Sequence, residues 1–279
     1  MIKWKSSSNG IMKIKKAGAM KPIVSFDIDM TLLDHKTWRI PESAMKAVEM
    51  LRKTYRIVIA TGRDMDAGYS TSLRDQIHPD AIIHLNGTKI TVGDQVIFEH
   101  EFDKRLLKQV LDYAEKYPYS IGTTLGGQDY YVHPSKVKEY DLERFGESSR
   151  NFADPWKLME KQVHTLAYIG TEAEARSLEQ HFPEIRVHMF GQHRGADVVE
   201  RAVSKAIGLR RLCEYYGTKM QETVAFGDSM NDYDILKAAG VGIAMGNAME
   251  ELKVAADYVT DDVDRDGIWK ACLHLHLIE

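Results

Sequence analysis

Cysteine is almost absent from this chain of 279 residues: Cys213 and Cys272 are the only two. Two are too few for a disulfide framework and fit reduced thiols in a cytoplasmic protein. Long apolar runs are missing as well. The longest extend over a few residues, such as 57–60, so nothing in the sequence spans a bilayer. Neither sign of charge dominates: 37 basic and 41 acidic residues leave a net charge of −4, without the electrostatic footprint of a nucleic-acid binder. The eleven histidines lack a His-x-x-x-His spacing, and no Cys-rich spacing accompanies them, which argues against zinc. No internal repeat or low-complexity segment is present. What remains is an ordinary globular mix, 44% hydrophobic and 28% charged, long enough for one large or two modest domains with a real core.

The charge is uneven at one end. Residues 1–20 carry Lys3, Lys5, Lys13, Lys15 and Lys16 and no acid. Taking these five from the 37 basic residues leaves 32 against 41 acidic ones, a net −9 for the rest. No apolar segment or small-residue cleavage site follows, so the reading is a disordered basic leader, with folded sequence from about Met20.

The folded part opens with a buried strand at 22–26 and an amphipathic helix at 41–53, with Ala44, Ala47, Val48 and Leu51 on one stripe. Strands at 56–60 and 81–83 flank a polar helix. The grammar returns late in the chain: helix 203–217, strand 223–226, helix 231–239, strand 241–244, a short strand at 257–259 and a helix at 267–277. This alternation predicts an α/β fold with one doubly wound parallel sheet. Between the halves, a hairpin at 90–98, helices at 103–117 and 172–181 and β-prone stretches at 119–125, 128–133, 163–169 and 184–190 predict an α+β insert. The expected division is a core of 21–88 plus 195–279, with an inserted domain at 89–194.

Three predicted core strands end in polar clusters, where such sheets bind ligands. The first reads Asp27-Ile28-Asp29-Met30-Thr31, the second Thr61-Gly62-Arg63, the third Gly227-Asp228-Ser229-Met230-Asn231-Asp232. Each has a bland reading. Asp-x-Asp also caps helices, Thr61 also serves an ordinary turn, and Lys205 alone is one more helical lysine. The chemical readings are paired carboxylates, a hydroxyl and glycine N–H suited to phosphate, and hard oxygen donors suited to Mg²⁺.

Taken in order, these four elements resemble the haloacid dehalogenase superfamily of phosphohydrolases, and within it the Cof-like hydrolases. Asn86-Gly87-Thr88 is similar to that subfamily's Asn-Gly-Ala, and Ala244-Met245-Gly246-Asn247-Ala248 and the tail from Ala256 also look like it. The resemblance is sharp over 20–88 and 197–279 and weak between. Met30 stands where the family usually has glycine; glycine is not demanded there if φ is negative, and Met30 is then expected to add bulk near the entrance without abolishing activity. The segment Ala202-Val203-Ser204-Lys205-Ala206 keeps only the Ser-Lys pair of the lysine motif.

The resemblance implies a Rossmann-like core with an α/β cap and a Mg²⁺-dependent phosphatase acting on small phosphorylated metabolites. Asp27 is then the nucleophile, forming an aspartyl-phosphate. Asp29 is the general acid and base, a dual role that calls for a pKa raised toward neutral. Mg²⁺ is held by Asp27, the Asp29 main-chain carbonyl and Asp228, and Asp232 supports the metal's waters or orients Lys205. Thr61, Gly62, Lys205 and Asn231 hold the phosphoryl oxygens. A loop of the cap reads the leaving group over the mouth, with Tyr131, His193 and Arg194 as candidates. A phosphomutase sharing the aspartyl-phosphate and a non-catalytic phospho-ligand sensor are the alternatives, with no nucleic-acid or membrane partner expected for any of them.

Overall fold

The computed structural model describes residues 21–68, 70–190 and 194–279, so the basic leader and His193 lie outside the described residues. The chain divides into two compact units, one reaching Val96 and resuming at Ser204, the other covering Ile97–Val203.

The first unit begins β1 (Ile23–Phe26), α1 (Glu42–Leu51), β2 (Arg56–Ala60), α2 (Ser70–Ile77), β3 (Ala81–His84), β4 (Lys89–Val92) and β5 (Gln95–Glu99). The chain then builds α3 (Lys104–Ala114), β6 (Ser120–Leu125), β7 (Gln128–Val132), α4 (Pro134–Phe145), β8 (Phe152–Ala153), β9 (Leu166–Ile169), α5 (Glu172–His181), β10 (Ile185–Met189) and β11 (Gly195–Glu200). It closes with α6 (Lys205–Tyr216), β12 (Thr223–Gly227), α7 (Tyr233–Ala238), β13 (Val241–Ala244), α8 (Glu250–Ala255), β14 (Tyr258–Val259) and α9 (Gly267–His274).

The main sheet runs β14-β13-β12-β1-β2-β3-β4-β5. Its pairings are parallel from β14 to β3, and β4 pairs antiparallel with β3. Strands covered on both faces read as unbroken apolar runs. All four residues of β1 are buried, and the stripe of α1 buries Ala44, Ala47, Val48 and Leu51. The chain leaves β1 toward β2 and returns on its other side as β12, so the topological switch lies between them. Phe26 is in register with both Ile59 and Phe226, which brings the C-terminal ends of three strands level. Both cysteines are free and buried. Burial pushes Cys213 up to about 11 and Cys272 up to about 12, leaving two inert thiols.

The second unit is a six-stranded sheet, β10-β11-β9-β6-β7-β8, antiparallel except for β7–β8. Its core gathers Leu107, Val110, Ile121, Leu166, Tyr168 and Leu178, and α3 meets α5 where Tyr113 stacks on His181, 4.1 Å between centroids.

Three details differ from the sequence reading. The 90–98 hairpin extends the main sheet through the β3–β4 pairing, so the first unit continues past residue 88. A third helix, α4, stands where only a connection was expected. It buries only Val137 and Asp141, so it has almost no apolar stripe to detect. An ion pair anchors it instead: Arg150 donates to both oxygens of Asp141 at 2.7 and 2.9 Å and to Asp129 at 3.2 Å. Two-turn α8 likewise buries only Leu252.

Candidate active site

Asp27 leaves β1 at the switch point, 5% exposed, its N–H donating to the Phe226 carbonyl at 3.1 Å. Lys205 reaches it from the first turn of α6, where the Ser204 hydroxyl caps the helix by accepting from Ile207 N–H. The ammonium is fully buried and donates to Asp27 Oδ1 and to Asp232 Oδ1, both at 2.7 Å. Asp232 is fully committed, since its Oδ2 accepts from the Asp228 and Ser229 N–H groups at 3.1 and 3.2 Å. It fastens the loop after β12 and aims Lys205. Asp228 Oδ1 accepts from the Thr31 hydroxyl at 3.2 Å. One oxygen each of Asp27 and Asp228 is left without a protein partner among the described residues.

The electrostatics follow from this crowding. Burial, with Asp232 and Asp29 nearby, raises Asp27 to about 7 against the opposing pull of Lys205. Burial, then Asp27 and Asp232, pushes Asp228 well above the carboxylate range. Burial disfavours the charge on Lys205, but the two carboxylates outweigh it and hold the ammonium charged. Asp27, Asp228 and Asp232 present oxygens within 4.8 Å of one another. Three crowded carboxylates against one ammonium, with hard oxygens to spare, fit a divalent cation such as Mg²⁺.

Asp29 behaves otherwise than the sequence reading required. Burial works against its charge. Even so, Arg63 grips it through Nε (2.6 Å to Oδ2) and Nη2, and His35 Nε2 lies 2.6 Å from Oδ1. These bonds hold the carboxyl well below the usual range. The raised carboxyls are Asp27 and Asp228, pushed up by burial and then by neighbouring carboxylates, whereas at Asp29 a guanidinium and a histidine outweigh burial. His35 is backed by Trp38, stacked at 4.6 Å.

Thr61 is fully buried after β2, its hydroxyl oxygen accepting from Arg63 N–H at 3.1 Å, and Gly62 follows it. Asn231 donates from Nδ2 to Asn86 Oδ1 at 3.0 Å and accepts from the Ser229 hydroxyl at 2.6 Å. Met30 has φ +57°, so the family's glycine position is left-handed after all. The Met30 carbonyl accepts from Asn247 Nδ2 at 2.8 Å, and Asn247 Oδ1 accepts from Val263 N–H at 2.8 Å. Sequence reasoning singled out Asp27, Asp29, Thr61, Gly62, Lys205, Asp228, Asn231 and Asp232, which cluster at these strand ends. It gave no role to Arg63, His35 or Asn86. Arg63 and Asn86 stood inside quoted motifs, while nothing local marks His35.

A second group, Asp64, Asp66 and His84, is occupied by protein partners. Lys89 and Arg74 each donate to Asp66 at 2.6 Å, and His84 bonds Met65 N–H and the Thr91 hydroxyl. In the second unit, Tyr131 is buried on β7, and Arg194 is exposed and paired with Glu143.

The family profile described as haloacid dehalogenase-like hydrolase matches residues 24–272. The Bacillus subtilis (strain 168) phosphatase YwpJ is 26% identical over 287 aligned residues, covering 91% of this chain and 99% of its own. Among solved structures, phosphatase BT1666 from Bacteroides thetaiotaomicron superposes with a TM-score of 0.85 at 28% identity, covering 93% of this chain and 96% of its own. The sugar phosphatase BT4131, of haloacid dehalogenase subclass IIB, gives 0.82 at 30% identity, covering 92% and 100%.

Proposed function

The chain belongs to the haloacid dehalogenase-like hydrolases and is a phosphoric monoester hydrolase, and from that premise we propose that it cleaves small phosphorylated metabolites, sugar phosphates among them, through an aspartyl-phosphate on Asp27 with the help of Mg²⁺. The observation that carries this reading is the buried Asp27–Lys205–Asp232 chain at the switch point, with Asp228 alongside.

Asp27 attacks phosphorus in line, its carboxylate oxygen forming the new P–O bond as the bond to the leaving oxygen breaks. Lys205 orients the nucleophile and favours its ionised form against burial, and Asp232 holds Lys205 in place. Thr61, the Gly62 N–H, Lys205 and Asn231 hold the phosphoryl oxygens, so positioning and charge supply most of the rate. Arg63 and His35 hold Asp29 as an anion and lower its proton affinity, so it serves as a base only after leaving them. It takes the proton from water as water attacks the aspartyl-phosphate and phosphate departs. To protonate the leaving oxygen in the first half-reaction, Asp29 leaves those partners and takes up a proton from solvent, which it passes to that oxygen; the carboxylate so formed is the base of the second half-reaction. The open oxygens of Asp27 and Asp228, with the Asp29 main-chain carbonyl, would be the donors for Mg²⁺. When bound, the ion offsets repulsion between the carboxylates and the phosphate. Selection of the leaving group falls to the second unit, with Tyr131, His193 and Arg194 as the residues to vary.

The test is phosphate release from a panel of phosphorylated metabolites, with Mg²⁺ and then with EDTA. Metal-dependent release by the unaltered protein and none by Asp27→Asn is expected. Turnover by Asp27→Asn would overturn the nucleophile, and turnover in EDTA would overturn the metal.

A further inference from the structure

The turn after β3 is held in a costly shape. Leu85, Asn86 and Gly87 have φ of +49°, +56° and +102°, three consecutive residues in the left-handed region. Two of them carry side chains, and such strain persists only where the surroundings over-determine it, most often at functional sites. Asparagine tolerates this region better than most side chains, yet Asn86 is not a surface turn residue. It is 1% exposed. Its N–H donates to the Thr61 carbonyl at 2.9 Å, and its Oδ1 accepts from Asn231 Nδ2 at 3.0 Å. Asn86 therefore ties together two loops, the one after β2 and the one after β12, that supply phosphate-holding groups.

The chemistry of the Asn231 amide gives this bridge a purpose. An asparagine amide can present either its oxygen or its NH₂ to a neighbour, and only the NH₂ binds an anion favourably. Asn86 Oδ1 and the Ser229 hydroxyl, on opposite ends of that amide, select one orientation. One N–H of Asn231 is spent on Asn86, and the other is left for an oxyanion.

We propose that Asn86 is a positioning residue, which locks the Asn231 amide with its NH₂ toward the phosphoryl group and fixes the distance between the Thr61 and Asn231 loops. The inference rests on the reading of Asn231 as a phosphate-holding group. It acts through Asn231, so its effect disappears when that amide is gone.

The experiment is a double-mutant cycle of Asn86→Gly and Asn231→Ala, since glycine keeps the left-handed backbone while deleting the amide. The readouts are the inhibition constant for inorganic phosphate and kcat/KM for the best phosphomonoester of the panel, with Tm as a check on folding. Asn86→Gly is expected to weaken phosphate about tenfold in the unaltered protein and less than about twofold in the Asn231→Ala background. Equal losses in both backgrounds, or none in either, would overturn the proposal. Asn86→Ala supplies the same deletion should glycine loosen the turn. If Asn231→Ala alone leaves phosphate affinity unchanged, the assignment of Asn231 fails, and this proposal with it. If Asn231→Ala weakens phosphate and the Asn86 variants do not, only this proposal fails.

Discussion

Asp29 and Asp27 are the same residue two positions apart, and their surroundings drive them in opposite directions. Asp29 is held low by Arg63 and His35, so in the folded protein it contributes stability present above the unfolded pKa of about 4 and lost as pH falls further. Arg63→Met is therefore expected to destabilise at neutral pH, with the difference from the unaltered protein shrinking below about pH 4 in urea titrations. A gap that stays constant would show that the pair adds nothing through charge. Thr88 carries a second residue-scale consequence. It replaces the alanine of the resembling motif and is fully buried, and its hydroxyl has no hydrogen-bond partner among the described residues. An unsatisfied buried hydroxyl costs roughly 1–3 kcal/mol, so Thr88→Val, which keeps the shape and removes the polar atom, is expected to raise stability by about 1 kcal/mol. Thermal unfolding decides it, with a lower Tm as the contrary result.

Elements matter here through their ends. The β3 turn abuts the residue that caps α6: a Cβ on Gly87 would collide with the Ser204 carbonyl, and the φ of +102° there already disfavours any side chain. Gly87→Ala is expected to cost more than about 2 kcal/mol and to lower kcat, because displacing Ser204 moves Lys205 at the next position. Denaturant unfolding together with steady-state kinetics reads both, and an active, fully stable variant would contradict the contact. The same scale explains what the sequence concealed. The buried faces of α1 and α3 recur with helical spacing and are legible. Helix α4 is held by Asp141 and Arg150, an interaction that hydrophobic periodicity does not register. Met30 is a comparable case: no local pattern distinguishes a left-handed residue at the end of a strand from an extended one, and the Met30 carbonyl is anchored by Asn247, 217 positions away.

At the scale of the whole molecule, the active site is a store of unfavourable charge. Asp27 and Asp228 have raised pKa values in the fold, so each contributes stability present below the unfolded value of about 4 and lost as pH rises through the folded one, about 7 for Asp27. The metal-free protein is therefore expected to lose Tm between about pH 5 and pH 8, and Mg²⁺ should flatten that loss. At about 100 times its Kd, Mg²⁺ adds roughly 2.7 kcal/mol. Calorimetry with Mg²⁺ and with EDTA across that range tests the sign, and a metal-free protein that gains stability with pH would refute it. Among the described residues no helix is long and apolar enough to cross a membrane, in keeping with the short apolar runs of the sequence.

The parallel sheet and the kinds of chemical group at its strand ends follow from residue order alone. Buried strands must be continuously apolar, and the first polar residues after them must stand at the carboxyl edge. From this, Asp27, Thr61, Asp228, Asn231 and Asp232 were legible as polar groups at that edge, whereas Lys205, on a helix, was legible only through the family resemblance. What each group meets is set by the fold in three dimensions. Lys205 finds Asp27 across 178 positions, Asn231 finds Asn86 across 145, and Arg63 finds Asp29 across 34. Charge state, amide orientation and strain depend on distance in space and on desolvation, and neither is encoded in the spacing of residues along the chain.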